Sequence, residues 1–400
     1  MTTPQVTVVI PTRERSDVLA ACLRTVKRQR YANLKVVVSD NASSDETRSV
    51  VDAANDSRIL YVNTGERVSM SHNWEFALSK VDGGWVMFIG DDDGLTPDAI
   101  VSAVGLIERT KVKAILTRSC TYNWPNDGWA RYGHLIAPSG NSLTIRNSRR
   151  WLARVMSGAC SYRNLPLIYN GGLVDMSILQ EIKARTGSFF SSCNPDIYSG
   201  IAIASLTDYF AYSEIPLTIS GISRHSTGTS FFSKRPHDNA LPSKVFSEEP
   251  NIPFHAAVPL SESGGYPISL HAHTYESYLQ SAALRAPERS QHFEQLAIIL
   301  GLADTRESII QGWGKRFANM HGLDFAKALA VAKRKRPTLR TQLFIRKFVD
   351  ALRSKSAGSE GVPLLDVADA SVAVALLRSP PRALSTLRRE VARVRAERPY

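Results

Sequence analysis

Three consecutive aspartates, Asp91-Asp92-Asp93, follow directly on the apolar run Trp85-Val-Met-Phe-Ile89. Carboxylates packed this tightly repel one another and require a cation or wide solvation. Their hard oxygens suit Mg²⁺ or Mn²⁺ bridging a diphosphate. The bland alternative is a solvated turn that caps a helix opening at Pro97. Two more polar clusters end apolar runs in the same way: Pro11-Thr12-Arg13 after Gln5–Ile10, and Asp40-Asn41 after Leu34–Val38. Further on, Asn194-Pro-Asp196-Ile-Tyr-Ser-Gly200 and Ser220-Gly-Ile-Ser-Arg-His225-Ser-Thr-Gly form a dense polar set.

Other nucleotide and hydrolytic chemistries leave no trace. The turn after the first run reads Pro11-Thr-Arg-Glu-Arg15 and lacks the glycines of a dinucleotide fingerprint. No G-x-x-x-x-G-K-[ST], H-E-x-x-H or G-x-S-x-G occurs.

The elements that must carry these residues alternate from residue 5 to about 118. Short β-branched runs at 5–10, 34–38, 58–62, 85–89 and 113–117 read as strands. Helical periods lie between them, at Ser16–Val26, Asp45–Ala54, Ser71–Val81 and after Pro97. Strands alternating with helices predict a parallel, doubly wound α/β sheet. In such a sheet ligands bind beyond the carboxyl ends of the strands, where the three polar clusters sit. Residues 119–230 are less regular, with helices expected near 148–156 and 175–185 and a strand at Ile215–Ile219. A Pro/Ser-rich connector with few elements is expected over 234–270, followed by helices. The expected division is therefore 1–235, with halves 1–118 and 119–235, and then 236–400.

The chain has 400 residues and a net charge of +12, of which residues 333–400 alone supply +10. The excess thus belongs to the tail. There, Lys333-Arg-Lys-Arg336, Arg340, Arg346, Lys347, Arg353 and Lys355 are interleaved with Leu339, Leu343, Phe344, Phe348 and Leu352. That mixture fits a basic amphipathic helix on an anionic membrane, the alternative being a solvated helix packed on the body. No recognition motif accompanies the charge, so nucleic acid is not an expected partner. Four scattered cysteines, Cys22, Cys120, Cys160 and Cys193, indicate free thiols in a reducing compartment. No leader pattern opens the chain and no apolar run approaches the length of a spanning helix. The expected location is cytoplasmic, with any membrane contact peripheral and on the inner face.

Taken together, Val8-Val-Ile-Pro-Thr-Arg13, Ser39-Asp-Asn-Ala-Ser-Ser-Asp45 and Phe88-Ile-Gly-Asp-Asp-Asp-Gly-Leu-Thr-Pro97 resemble glycosyltransferase family 2, with its GT-A fold. The resemblance covers residues 5–120 well, 190–230 loosely, and nothing beyond about 235. It implies an inverting, Mn²⁺- or Mg²⁺-dependent transfer of a hexosyl or N-acetylhexosaminyl group. The donor would be a nucleotide-sugar, a UDP-sugar by preference, and the acceptor a glycan or lipid-linked sugar in surface polysaccharide synthesis. By position, Pro11, Thr12 and Arg13 would line the nucleotide pocket and Asp40 would accept from the base. Arg67 would contact base or phosphate and Asp91 the ribose. Asp92 would bind the metal, His225 would be a further ligand, and Asp93 would be either a ligand or a group supporting the ligands from behind. Asp196 would be the base that takes the acceptor proton, with Asp208 and Asp175 as rivals and a helix N-cap as the structural alternative. The commoner D-x-D-D pattern is broken here, since Gly90 replaces its first aspartate.

Two rival readings accompany this one: a nucleotidyltransferase on a related fold, and a catalytically silent nucleotide- or carbohydrate-binding relative. Among the aromatics, Trp124, Trp129 and Tyr132 are candidates for a sugar-stacking platform or for packing. Trp74 and Trp85 are expected in the core, and His271 and His273 on the surface.

Overall fold

A computed structural model describes residues 3–125, 133–232, 241–303, 307–357, 364–378 and 389–393. An eight-stranded sheet runs in the order β3 (Ile59–Asn63), β2 (Leu34–Asp40), β1 (Val6–Thr12), β4 (Trp85–Phe88), β10 (Gly172–Asp175), β6 (Ala114–Thr117), β11 (Tyr209–Ser213) and β9 (Leu143–Asn147). Its first four strands are parallel, as the alternating pattern predicts; β10 and β9 run antiparallel to their neighbours. A second sheet orders β13 (Ser354–Ala357), β8 (His134–Pro138), β7 (Cys120–Asn123), β12 (Thr218–Ile222) and β5 (Gly94–Leu95).

Side-chain alternation decides which face each residue serves. Val6, Val8 and Ile10 of β1 are buried together with Leu19, Cys22, Leu23 and Val26 of α1 (Ser16–Lys27). The same layer takes in Val51 of α2 (Thr47–Ala54) and Ile100, Ala103 and Leu106 of α4 (Ala99–Thr110). Val9, Val37, Val86 and Phe88 point the other way, onto Trp74 and Leu78 of α3 (Met70–Leu78). That layer continues through α5 (Ser148–Met156), α6 (Met176–Thr186) and α7 (Pro195–Leu206). Trp74 and Trp85 are core residues, as expected.

The carboxyl-terminal residues do not form a separate appendage. Beyond α8 (Thr227–Phe232) and α9 (Leu241–Glu248), four helices follow: α10 (Leu270–Gln280), α11 (His292–Leu302), α12 (Glu307–Met320) and α13 (Phe325–Leu352). The first three join the α7 layer through Tyr275, Leu296, Ile299, Trp313 and Phe317. α14 (Val367–Arg378) closes a third core, in which Leu364, Val367, Ala370 and Val374 pack on Val18, Ala21, Tyr122 and Leu135. Arg24 pairs with Asp366 at 2.6 Å, and Ser371 donates to the Leu95 carbonyl at 2.8 Å. The boundary expected at 235/236 is thus crossed by strand pairing, packing and an ion pair. Four free cysteines are all buried.

Two expectations are overturned. His271 and His273 are not surface residues: both are buried in α10. His271 Nε2 bonds Gln295 at 2.9 Å, and His273 Nε2 donates to the Pro267 carbonyl at 3.0 Å. Phe254 and Tyr266 pack on His273, and His271 is bonded from α11, contacts that no local pattern announces.

Candidate active site

The three polar clusters meet because parallel pairing brings the carboxyl ends of β1, β2 and β4 to one edge. Thr12 lies opposite Asp40, and Val9 opposite Phe88, so the aspartates after β4 emerge beside the end of β1. Asp91, Asp92 and Asp93 are all buried, which excludes the solvated turn.

Each carboxylate has its own setting. Asp91 accepts from Arg15 at 3.0 Å, and the second Arg15 nitrogen donates to the His225 carbonyl at 2.7 Å. Asp91 Oδ2 and Thr12 Oγ1 are buried without a completed hydrogen bond. Burial raises the Asp91 carboxyl above the usual range; the Asp92 charge adds to this and Arg15 opposes it. Burial works against the Arg15 charge, yet the Asp91 and Asp92 charges hold the guanidinium above its ordinary value. Asp92 Oδ2 accepts from the Ser223 hydroxyl at 2.6 Å and from Ser226 at 3.2 Å. Its carbonyl accepts from Trp124 Nε1 at 2.8 Å. Asp93 is fully engaged: Oδ2 accepts from Gly90 N–H at 2.6 Å and from the Tyr169 hydroxyl at 3.0 Å, and Oδ1 accepts from Gly221 N–H at 2.7 Å. Burial first, and the Asp92 charge second, push Asp93 up to about 7.

Gly90 now has a reason. A Cβ there would lie 3.0 Å from Asp93 Oδ2 and from the Tyr169 hydroxyl, and 3.1 Å from Asp92 Oδ1. A side chain at this position would press on the ends of Asp93, Tyr169 and Asp92, which would have to give by a few tenths of an ångström. Gly221 is tighter still, since a Cβ would come within 1.8 Å of the Asp92 carbonyl oxygen.

Asp196 sits in the first turn of α7, after Asn194 and Pro195. Its Oδ2 accepts from the Tyr162 hydroxyl at 2.7 Å. It is not the N-cap residue, a position held by Asn194. Tyr169, whose strand-like pairing with Phe88 docks it at the end of β4, lies in the field of Asp93, Asp92 and Asp196 together. Burial, then those charges, raises its hydroxyl well above normal. Burial and the Asp196 charge raise Tyr162 likewise. The rivals lie elsewhere. Asp175 pairs with Trp85 at the opposite end of β4 and caps α6, and Asp208 is exposed past the far end of α7.

Several expected residues have other partners. His225 turns Nε2 to Asp17, at 3.0 Å, rather than into the aspartate cluster. Arg13 is ion-paired with Glu249, and the exposed Arg67 with Glu14. Asp40 accepts from Tyr61 at 2.6 Å, Asn63 at 3.1 Å and the Ser43 N–H at 3.0 Å. Its Oδ1, bonded only by Ser43, keeps a lone pair for a further donor. Pro11 lies opposite Ser39 on the buried β1–β2 ladder. Trp124 is 8% exposed and props the Asp92 backbone, so it offers no stacking face, whereas Trp129 and Tyr132 lie outside the described residues. Arg15, Tyr162, Tyr169 and Gly221 were not singled out by sequence. Arg15 sits two residues beyond the cluster that was, and Gly221 lies in the flagged polar loop. The tyrosines stand in the irregular segment with no local signal.

Among the described residues no three His, Cys, Asp or Glu side chains converge in metal-ligand geometry. The donor set nevertheless suits a hard cation. The buried, unbonded Asp91 Oδ2 lies next in sequence to Asp92, whose Oδ1 accepts no hydrogen bond among the described residues. Both are hard oxygen donors of the kind Mg²⁺ or Mn²⁺ takes.

Residues 7–169 match the family described as Glycosyl transferase family 2. A Campylobacter jejuni GalNAc(5)-diNAcBac-PP-undecaprenol beta-1,3-glucosyltransferase is 33% identical over 100 residues, 24% of this chain and 32% of that protein. A PGL/p-HBAD biosynthesis glycosyltransferase of Mycobacterium bovis is 28% identical over 138 residues, 31% of this chain and 52% of the relative. The chain thus spans about a third to a half of these relatives. The crystal structure of S. aureus TarS 1-349 in complex with UDP-GlcNAc aligns over 84% of this chain and 92% of that one, with a TM-score of 0.47 and 12% identity. The motifs at the ends of β1, β2 and β4 all lie inside the segment, residues 7–169, that matches glycosyl transferase family 2.

Proposed function

We propose that this protein is an inverting, divalent-metal-dependent glycosyltransferase. It would move a sugar from a nucleotide-diphosphate donor, a UDP-sugar by preference, to a glycan or lipid-linked acceptor in surface polysaccharide synthesis. The observation that carries the reading is the buried Asp91-Asp92 pair at the end of β4, beside Arg15 and across Tyr169 from Asp196.

The chain's own groups divide the work. Asp92, with the free Asp91 oxygen, would hold Mn²⁺ or Mg²⁺, and that ion, when bound, supplies Lewis-acid neutralisation of the departing diphosphate. Thr12 and Asp40 flank the space in which a nucleoside would lie. Arg15 secures Asp91 and keeps positive charge at the phosphate edge. Asp93 serves as a wall: its three hydrogen bonds fix the turn that aims Asp92. Asp196 would take the acceptor hydroxyl proton as that oxygen attacks the anomeric carbon. A base needs a fixed carboxylate with one free oxygen, and Tyr162 fixes Oδ2 only. A lipid-linked acceptor would bring the protein to the inner face of the cytoplasmic membrane.

The test is release of UDP from a panel of UDP-sugars with and without Mn²⁺. Metal-dependent release, abolished in Asp92→Ala, is expected. Binding of UDP with no release from any donor, with or without an acceptor glycan, would instead identify a silent relative.

A further inference from the structure

The surface of α13 changes character along its length. Leu339 is buried against the body, and Asp350, three turns on and hence on the same side, pairs with Arg118 at 3.2 Å. The opposite side carries Phe344, Phe348 and Leu352 at i, i+4 and i+8, with Ile345 and Val349 beside them. Phe344, Phe348 and Leu352 are 69%, 57% and 70% exposed. The two phenylalanine rings stack, their centroids 6.4 Å apart. Among the described residues nothing covers this stripe. Large apolar side chains in solvent are ordinary one at a time; five on one helical stripe mark an interaction surface.

Charge selects the occupant. Lys333, Arg334, Lys335 and Arg340, in the turns preceding the stripe, are exposed, although Arg340 also donates to the Ala303 carbonyl at 3.2 Å. Arg336 and Arg353 are not counted with them, since they pair with Glu307 and Glu214. Two copies joined in parallel through this face would press their basic turns together, in a tail of net charge +10. An anionic surface with an apolar interior satisfies both halves of the helix at once. No helix among the described residues is long and apolar enough to cross a membrane, so contact must lie in the interface.

We infer that the carboxyl-terminal half of α13 is an interfacial docking helix for an anionic bilayer. Phe344, Phe348 and Leu352 enter the headgroup boundary, and Lys333, Arg334, Lys335 and Arg340 neutralise lipid headgroups. The inference rests for its purpose on the lipid-linked acceptor proposed above, but vesicle binding and UDP release are separate readouts and either can fail alone.

The experiment is co-sedimentation of the full chain with vesicles of phosphatidylcholine, with and without phosphatidylglycerol. Binding is expected only with phosphatidylglycerol, weakening as salt rises. Phe344→Ser/Phe348→Ser alters exposed side chains, and its fold is checked by circular dichroism; it is expected to lower partitioning at least about tenfold. Lys333→Gln/Arg334→Gln/Lys335→Gln is expected to remove the preference for the anionic lipid. A wild-type chain that stays in the supernatant, or a serine variant that binds as well as wild type, overturns the inference. So does a wild-type dimer in sedimentation velocity that the serine variant returns to monomer while neither form binds vesicles.

Discussion

Asp196 and Asp92 differ in what surrounds them, and so in what their removal should do. Asp196 is half-buried: Tyr162 donates to its Oδ2, and Arg163 and Tyr169 lie within its field. In the proposed reaction Asp196→Asn keeps the shape of the side chain and loses the base, so kcat should fall 10²–10⁴-fold with donor KM little changed. Tyr162→Phe should cost about tenfold, the worth of one hydrogen bond to a charged group. Equal KM increases in both variants would assign them to donor binding instead. Gly221 tests the same machinery without touching a charge. A methyl group there meets the Asp92 carbonyl, displaces the turn and takes the Asp93 hydrogen bond with it. Gly221→Ala should therefore weaken Mn²⁺-dependent UDP binding by calorimetry at least about tenfold, and an unchanged titration would show that the turn tolerates the shift.

At the scale of elements, α10 holds the amino end of α7 in place. His273 Nε2 donates to Pro267, which leaves Nδ1 to accept from Asn194, the residue that opens α7. Burial depresses both His271 and His273 to about 4. An unfolded histidine takes up a proton near pH 6.5, so between about 6.5 and 4 the unfolded chain binds protons that the folded chain refuses. Stability is then complete above about pH 6.5 and declines as pH falls towards 4, by up to roughly 3 kcal/mol per ring. Urea midpoints at pH 7 and pH 5 should differ accordingly, and His271→Leu should shrink the difference even if it lowers both. A flat midpoint over that range would mean the rings are hydrated. Proton uptake at His273 would also break its bond to Asn194, so activity in acid should fail before the sheet unfolds.

At the scale of the molecule, the tail is structural as well as basic. β13 pairs with β8, and Leu364, Val367, Ala370, Ala373 and Val374 complete the third core. A chain cut after Leu352 uncovers Val18, Ala21, Tyr122 and Leu135 on the amino-terminal part of the fold. It should bind a hydrophobic dye and melt at a clearly lower temperature than the full chain. A truncated protein with unchanged melting would show that the amino-terminal part stands alone. Membrane docking must therefore be tested with surface substitutions rather than by deletion, because deletion removes core along with charge.

Local chemistry was enough for much of this protein. β-branched runs alternating with helical periods determined the parallel sheet, since each strand must bury two faces and each helix one. Chain direction then put Thr12, Asp40 and Asp91–Asp93 at the same edge, because parallel strands end together. What local pattern does not encode is contact between distant segments. Tyr169 reaching Asp93, Gly221 bonding Asp93 across 128 residues, Glu249 on Arg13 and α14 under α1 all depend on long-range closure. That closure also separates Asp196 from the two rivals that sequence left open, since the packed sheet carries Asp175 and Asp208 away from the edge that holds the aspartates.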